Sequence, residues 1–151
     1  MGARRQAPEL VFRGRVAPWY QALTGVVTLA AAVLALQPGM PLGVPILVFV
    51  VGAVLLLPAA LRNRVELYAD HLEVLFGWNH VVIPYTHVRG VVPRTWAASQ
   101  FTGHNCASST DGLFIEAPED GDAAVCVTDN DALAAELRRR AGLDAARVEK
   151  N

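Results

Sequence analysis

Only two cysteines, Cys106 and Cys126, occur in the 151 residues. Two thiols so placed cannot build a disulfide framework or a paired CxxC metal site, and ordinary reduced side chains are expected. Catalytic signatures are lacking too. The chain holds no Walker phosphate loop, no Rossmann glycine fingerprint, no GxSxG nucleophile elbow and no HExxH zinc motif. Nucleotide-driven, dinucleotide-dependent and common hydrolytic chemistries therefore have no carrier, and neither enzymatic activity nor a cofactor is expected.

Charge is missing from two long runs. Residues 19–36 and 42–61 contain no Asp, Glu, Lys or Arg. At about 1.5 Å per residue these helices reach roughly 27 and 30 Å, the thickness of a bilayer's hydrocarbon core. The second run holds thirteen Leu, Ile, Val or Phe and the first seven. Each such residue favours insertion by roughly 0.3–0.6 kcal/mol, so the second run is the stronger span. The first has two rivals, a cleaved signal peptide and a buried soluble helix, but a second apolar run follows it almost at once, as in a helical hairpin. Residues 37–41, Gln-Pro-Gly-Met-Pro, allow only an antiparallel turn. No acid or base lies within either run to suggest transport or a proton relay.

The net charge of −1 hides two opposite halves. Arg4, Arg5, Arg13, Arg15, Arg62 and Arg64 face a single acid, Glu9, up to residue 64, whereas the remainder is acidic. Arginines flank the outer ends of both runs and the turn between them is uncharged. The positive-inside rule then puts both termini in the cytoplasm of a multi-pass protein of the cell (inner) membrane, with Trp19 and Tyr20 as interfacial anchors. The expected organisation is a basic cytoplasmic segment (1–18), a transmembrane hairpin (19–61), a soluble domain (63–143) and a tail (144–151).

Past residue 63 the apolar period falls to two. Val65 to Tyr68 and His71 to Phe76 read as strands about a tight turn at Ala69-Asp70, and Gly77-Trp78-Asn79 turns the chain again. Val81-Val82-Ile83 forms a third strand that Pro84 ends or pushes to an edge, and residues 88–92 a fourth, with Gly90 suited to a bulge. Leu113 to Glu116 and Val125 to Val127 make a last hairpin about the acidic turn 118–122. Thr128, three residues before Asp131, reads as a helix N-cap. Leu133, Ala134, Leu137 and Ala141 recur at helical spacing up to Gly142, a natural stop. Arg138, Arg139 and Arg140 read as a solvated face; alone in an acidic domain they give no nucleic-acid surface.

The order of these pieces carries a resemblance. Leu72-Glu73-Val74, then Ile83-Pro84-Tyr85 with Val88, then Ser109-Thr110-Asp111-Gly112-Leu113, then a closing helix from Thr128 to Leu137 follow a membrane hairpin. The arrangement resembles the bacterial pleckstrin-homology-like (PH-like) domains of small membrane proteins, over residues 63–143. The resemblance implies a mostly β fold of about six antiparallel strands in a partly open barrel of two packed sheets, plugged at one end by the C-terminal helix. Phosphoinositide-binding members of that superfamily carry Lys and Arg around the first strand-turn-strand. Here the turn is Tyr68-Ala69-Asp70-His71, without a cation, so no phosphoinositide headgroup is expected as a partner.

His71, His80, His87 and His104 with Cys106 are proper zinc ligands by type but not by spacing, and no metal is expected. A Cys106–His104 nucleophile pair lacks a third orienting group. The expected role is a membrane-tethered, non-enzymatic interaction module, held in the bilayer by its hairpin and offering a surface to an unidentified membrane or cytoplasmic protein. The alternative is a ligand-sensing or accessory subunit of a membrane enzyme or transporter, favoured by an apolar pocket near Trp78 and Trp96. The candidate contact surface lies in residues 94–111, on Trp96, Phe101, His104 and Asn105, where aromatics stand among adaptable polar side chains.

Overall fold

The computed structural model describes residues 7–94, 103–107 and 111–143. The expected tail, 144–151, lies outside them. A strand, β1 (Leu10–Arg13), precedes two long helices, α1 (Pro18–Ala35) and α2 (Gly43–Leu61). Pro18 opens α1 at its first turn, where its missing N–H costs nothing. Both helices are long and apolar enough to cross a membrane, with mean hydropathies of 1.3 and 2.7. Only 6% and 17% of these windows are buried within the chain. They pack closely where Gly52 meets Val27, whose Cγ1 lies 2.3 Å from where a Cβ on Gly52 would stand.

The rest of the described chain forms two four-stranded sheets with no closed barrel. The first runs β1-β2-β3-β4, with β2 (Asn63–Leu67), β3 (His71–Phe76) and β4 (Asn79–Pro84); a 3-10 turn, Tyr85–His87, leads away from it. The second runs β5-β7-β8-β6, with β5 (Gly90–Arg94), β6 (His104–Cys106), β7 (Gly112–Glu116) and β8 (Ala123–Val125). Period-two alternation decides the inward face: Val65 pairs with Val74, Leu67 with Leu72, Val74 with Val81 and Leu72 with Ile83. Val91, Cys106, Leu113, Ile115, Ala123 and Val125 of the second sheet join them in one cluster, with Leu133, Ala134 and Leu137 of α3 (Asn130–Arg140). Each large aliphatic side chain so buried contributes roughly 1.5–3 kcal/mol.

Several expectations need correction. Among the described residues eight strands form, seven of them in 63–143 where about six were expected, and the β6–β8 pair is parallel. Residues 1–18 are not simply a juxtamembrane segment, because β1 pairs antiparallel with β2 in the register Leu10↔Leu67 to Arg13↔Arg64. The sheet thus takes one strand from before the helical hairpin and three from after it. Residues 94–111 are not wholly irregular, since β6 lies among them. Gly90 sits in a regular ladder opposite Glu116 rather than at a bulge. Pro84, as anticipated, ends an edge strand.

The α3 cap is Asp129, whose carboxylate accepts from the Ala132 N–H at 3.0 Å; Thr128 instead donates its hydroxyl to the Arg13 carbonyl. The three arginines are not one solvated face either. Arg139 is exposed, but Arg138 donates to the Val91 carbonyl at 2.7 Å. Arg140, with a side chain only 11% exposed, donates to the Tyr68 carbonyl, Glu136 and Glu9 and lies over the Tyr85 ring. One guanidinium thereby ties the β2–β3 turn, the residue before β1 and α3 together. Charged partners make such hydrogen bonds stronger than neutral ones.

Hydrogen bonds from Arg139 and then Arg140 hold the Glu136 carboxyl down at about 2, below its ordinary 4.5. A depressed carboxyl stabilises the fold fully above the ordinary value and loses that contribution as pH falls toward the folded value. Thermal unfolding in detergent, followed by near-ultraviolet circular dichroism, is expected to show Glu136→Gln melting below the unsubstituted protein at pH 6. The gap should shrink between pH 5 and pH 2.5; a constant gap would show that Glu136 acts through packing alone.

Candidate functional site

Two of the four candidate residues are visible. Trp96 and Phe101 lie outside the described residues. His104 and Asn105 stand exposed on β6, the outer strand of the second sheet. The His104 N–H donates to the Asp122 carbonyl at 2.7 Å, and its ring lies over Gly121, where a Cβ would stand 3.1 Å from Nε2. Asn105 Oδ1 accepts from the Ala107 N–H at 3.4 Å. Cys106 points the other way, into the core at 2% exposure. Burial pushes its thiol up to about 11, so almost none is thiolate near neutral pH, and no hydrogen bond joins it to His104.

The other histidines are engaged by carboxylates. His87 meets Asp120 through Nδ1 at 2.7 Å and Glu119 through Nε2 at 3.1 Å. His71 stacks on Tyr68 and meets Asp70 at 2.6 Å, while His80 meets Glu73 at 3.0 Å. The hydrogen bond to Glu66 pushes the Tyr68 phenol up to about 12, and the His71 contact lowers the Asp70 carboxyl. Among the described residues no three His, Cys, Asp or Glu side chains converge as metal ligands.

The opposite end of the domain, where the helices enter, has a different construction. Sheet and helices are joined without slack: Arg62 alone separates α2 from β2, and the Gly14 N–H donates to the Asn63 carbonyl at 2.8 Å. The Arg15 N–H donates to the Cys126 carbonyl, the Thr128 N–H to Arg13, and Arg15 forms an ion pair with Asp111. The helix entry therefore grips both sheets.

At the same end the β3–β4 hairpin leans on α2. Its two-residue turn, Gly77-Trp78, opens with Gly77 at φ +59°, as a type II′ turn requires. The missing side chain also lets the turn approach the helix, because a Cβ there would lie 3.4 Å from the Ala59 nitrogen. Trp78 then donates its indole N–H to the Val54 carbonyl at 3.3 Å. That carbonyl is the acceptor a regular helix would pair with residue 58, and residue 58 is proline, which has no N–H. Two polar groups that would each be costly in an apolar setting thus satisfy one another. Tyr20 makes a second such contact, donating its hydroxyl across the helix pair to the Leu56 carbonyl at 3.0 Å.

The reading of the sequence missed this pairing. Its only signals were a proline inside an apolar run and a tryptophan at a turn.

No family model matches the chain, and no curated protein or solved structure is significantly similar to it.

Trp78→Phe removes the donor and leaves the Val54 carbonyl unpaired, a loss of about 1–3 kcal/mol. In a Pro58→Ala background the helix supplies its own N–H, and the same substitution should then cost less than half as much. Unfolding of the four proteins in mixed micelles measures the cycle, and equal costs in both backgrounds would show that Trp78 acts only through its ring.

Proposed function

We propose that the chain is a two-pass protein of the cell membrane with both termini in the cytoplasm, whose β region is a PH-like domain acting as a non-enzymatic interaction module. The observation that carries this reading is the state of the sheet edges. β4 ends in Pro84, and β5 holds Pro93 and is covered where Arg138 takes the Val91 carbonyl. The end of β1 is covered by residues 126–128 through the Gly14–Val127 bridge and the Thr128 bonds to Arg13. Among the described residues β6 is the outer strand of the second sheet that contains no proline, and it presents His104 and Asn105. An outer strand of this kind accepts an extended segment from another protein, the backbone giving affinity and alternate side chains specificity.

The fixed joint between sheet and helices supports the same reading, because it holds β6 at a constant orientation to the bilayer. The Tyr68–His71 turn stands at the far end of β2, about 16 Å from the helices at roughly 3.3 Å per residue, and carries Asp70 where a headgroup site needs cations. Phosphoinositide recognition there finds no support. A nucleophile finds none either, given the buried, protonated Cys106.

Topology is checked by reporter fusion: a phosphatase active only in the periplasm, joined after Asn151, is expected to stay inactive, and strong activity would overturn the orientation. The edge is checked in intact membranes by a photo-crosslinking residue in place of Asn105. A discrete protein adduct is expected there and not from the same residue in place of Thr86 beside β4. Identical adducts from both positions, or none from Asn105, would remove β6 as the contact.

A further inference from the structure

A cleft of about 450 Å³ lies where the β3–β4 turn meets α2, lined by Ala53, Val54, Leu57, Pro58, Leu61, Arg62 and Trp78. All but Arg62 are apolar. The one backbone acceptor opened there by Pro58 is already taken by Trp78, so the cleft offers its occupant no unpaired carbonyl to hydrate. It runs along α2 from Ala53 to Leu61, about 12 Å at 1.5 Å per residue. That length along the helix suits an extended chain.

The charge at its mouth is distinctive. Of the arginines whose side chains are described, those of Arg13 and Arg62 make no ion pair or hydrogen bond with another described residue. Both sit where the sheet meets the helices. The acids nearest in sequence or register are occupied, Glu66 by Arg64 and Tyr68, and Asp111 by Arg15. A guanidinium without a counter-charge among the described residues therefore lines an otherwise apolar slot.

We infer that this cleft is a binding site for one anionic diacyl phospholipid, with an acyl chain along α2 against Trp78 and the headgroup phosphate on Arg62. The inference rests on the reading that α2 spans the bilayer. The slot then opens sideways into the hydrocarbon and Arg62 lies at headgroup level. Arg is suited to the role because its planar fork meets two phosphate oxygens at once. A zwitterionic lipid would bring a quaternary amine back to the same mouth and gain less. The site is at the opposite end of the domain from the Tyr68–His71 turn, and it needs α2, so the β region alone would not carry it.

The full chain in detergent, examined by native mass spectrometry against equal phosphatidylglycerol and phosphatidylcholine, tests this. One phosphatidylglycerol is expected to be retained about fivefold over phosphatidylcholine, the effect of one favourable basic contact at a membrane surface. Arg62→Gln should bring the two lipids near parity while Arg13→Gln leaves the preference. Val54→Trp, which fills the slot, should lose the bound lipid of either kind. Equal retention in the unsubstituted protein, a preference that survives Arg62→Gln, or several equivalent adducts as in an annular shell would each overturn the site. Alkaline carbonate extraction of membranes separates the two layers of the inference. Release of the chain would remove the spanning reading itself, whereas a chain that stays embedded without lipid preference removes the cleft alone.

Discussion

The pairing of β1 with β2 is the constraint on which the rest depends. The two strands come from either side of the helical hairpin, and their ladder runs to Arg13↔Arg64 before the chain leaves for α1 and returns from α2. Closing a loop of that length costs chain entropy, but the cost grows only with the logarithm of length. The helix pair, packed through Gly52 and Val27, has already brought the two ends together. Helices and sheet thus stabilise each other's closure: the hairpin positions the strands, and the strands hold the lower ends of the hairpin.

A second theme is the treatment of polar groups near the helices. Water is scarce in such a setting, and each unpaired donor or acceptor is expensive. Pro58 breaks one helix bond and Trp78 repairs it from another element. Thr24 and Thr28 turn their hydroxyls back onto the carbonyls of Tyr20 and Thr24. Further down, charge takes over: Arg15 with Asp111 and Arg64 with Glu66 are compensated, while Arg13 and Arg62 keep theirs. The far end of the domain is built on carboxylate contacts with histidine and arginine, at His71, His87 and Arg140. Among the described residues, the arginine side chains without a counter-charge thus lie at the helix end.

Local pattern in the amino-acid sequence was enough for the two apolar helices, the β2–β3–β4 meander, β7 and α3, because each is defined by near neighbours, whereas β8 lies at Ala123–Val125, two residues before the strand expected at 125–127. Eighteen to twenty uncharged residues leave few alternatives, and the alternation His71-Leu72-Glu73-Val74 sets the inward face. β1 was not legible. Leu-Val-Phe-Arg between Pro8 and a basic stretch has no period of its own, and its partner lies some fifty residues away. β6 was hidden for a similar reason, since His-Asn-Cys shows two polar residues to solvent and is a strand only by parallel pairing with β8. The cap shifted from Thr128 to Asp129 because the Thr128 hydroxyl was claimed by Arg13, a contact across most of the chain.

The sequence by itself determined which segments are apolar enough to leave water, which residues alternate, where chains must turn, and how charge divides about residue 64. These are properties of short windows, and hydrophobicity and backbone preference decide them locally. Only the tertiary structure decided which distant groups meet: that Trp78 answers the carbonyl freed by Pro58, that Arg140 is held among Glu9, Glu136 and Tyr68, and that Arg62 lines an otherwise apolar cleft. Such pairings depend on the register of strands and the lean of a hairpin against a helix. A linear pattern does not encode that register; it is settled when the whole set of polar groups and apolar faces is satisfied together.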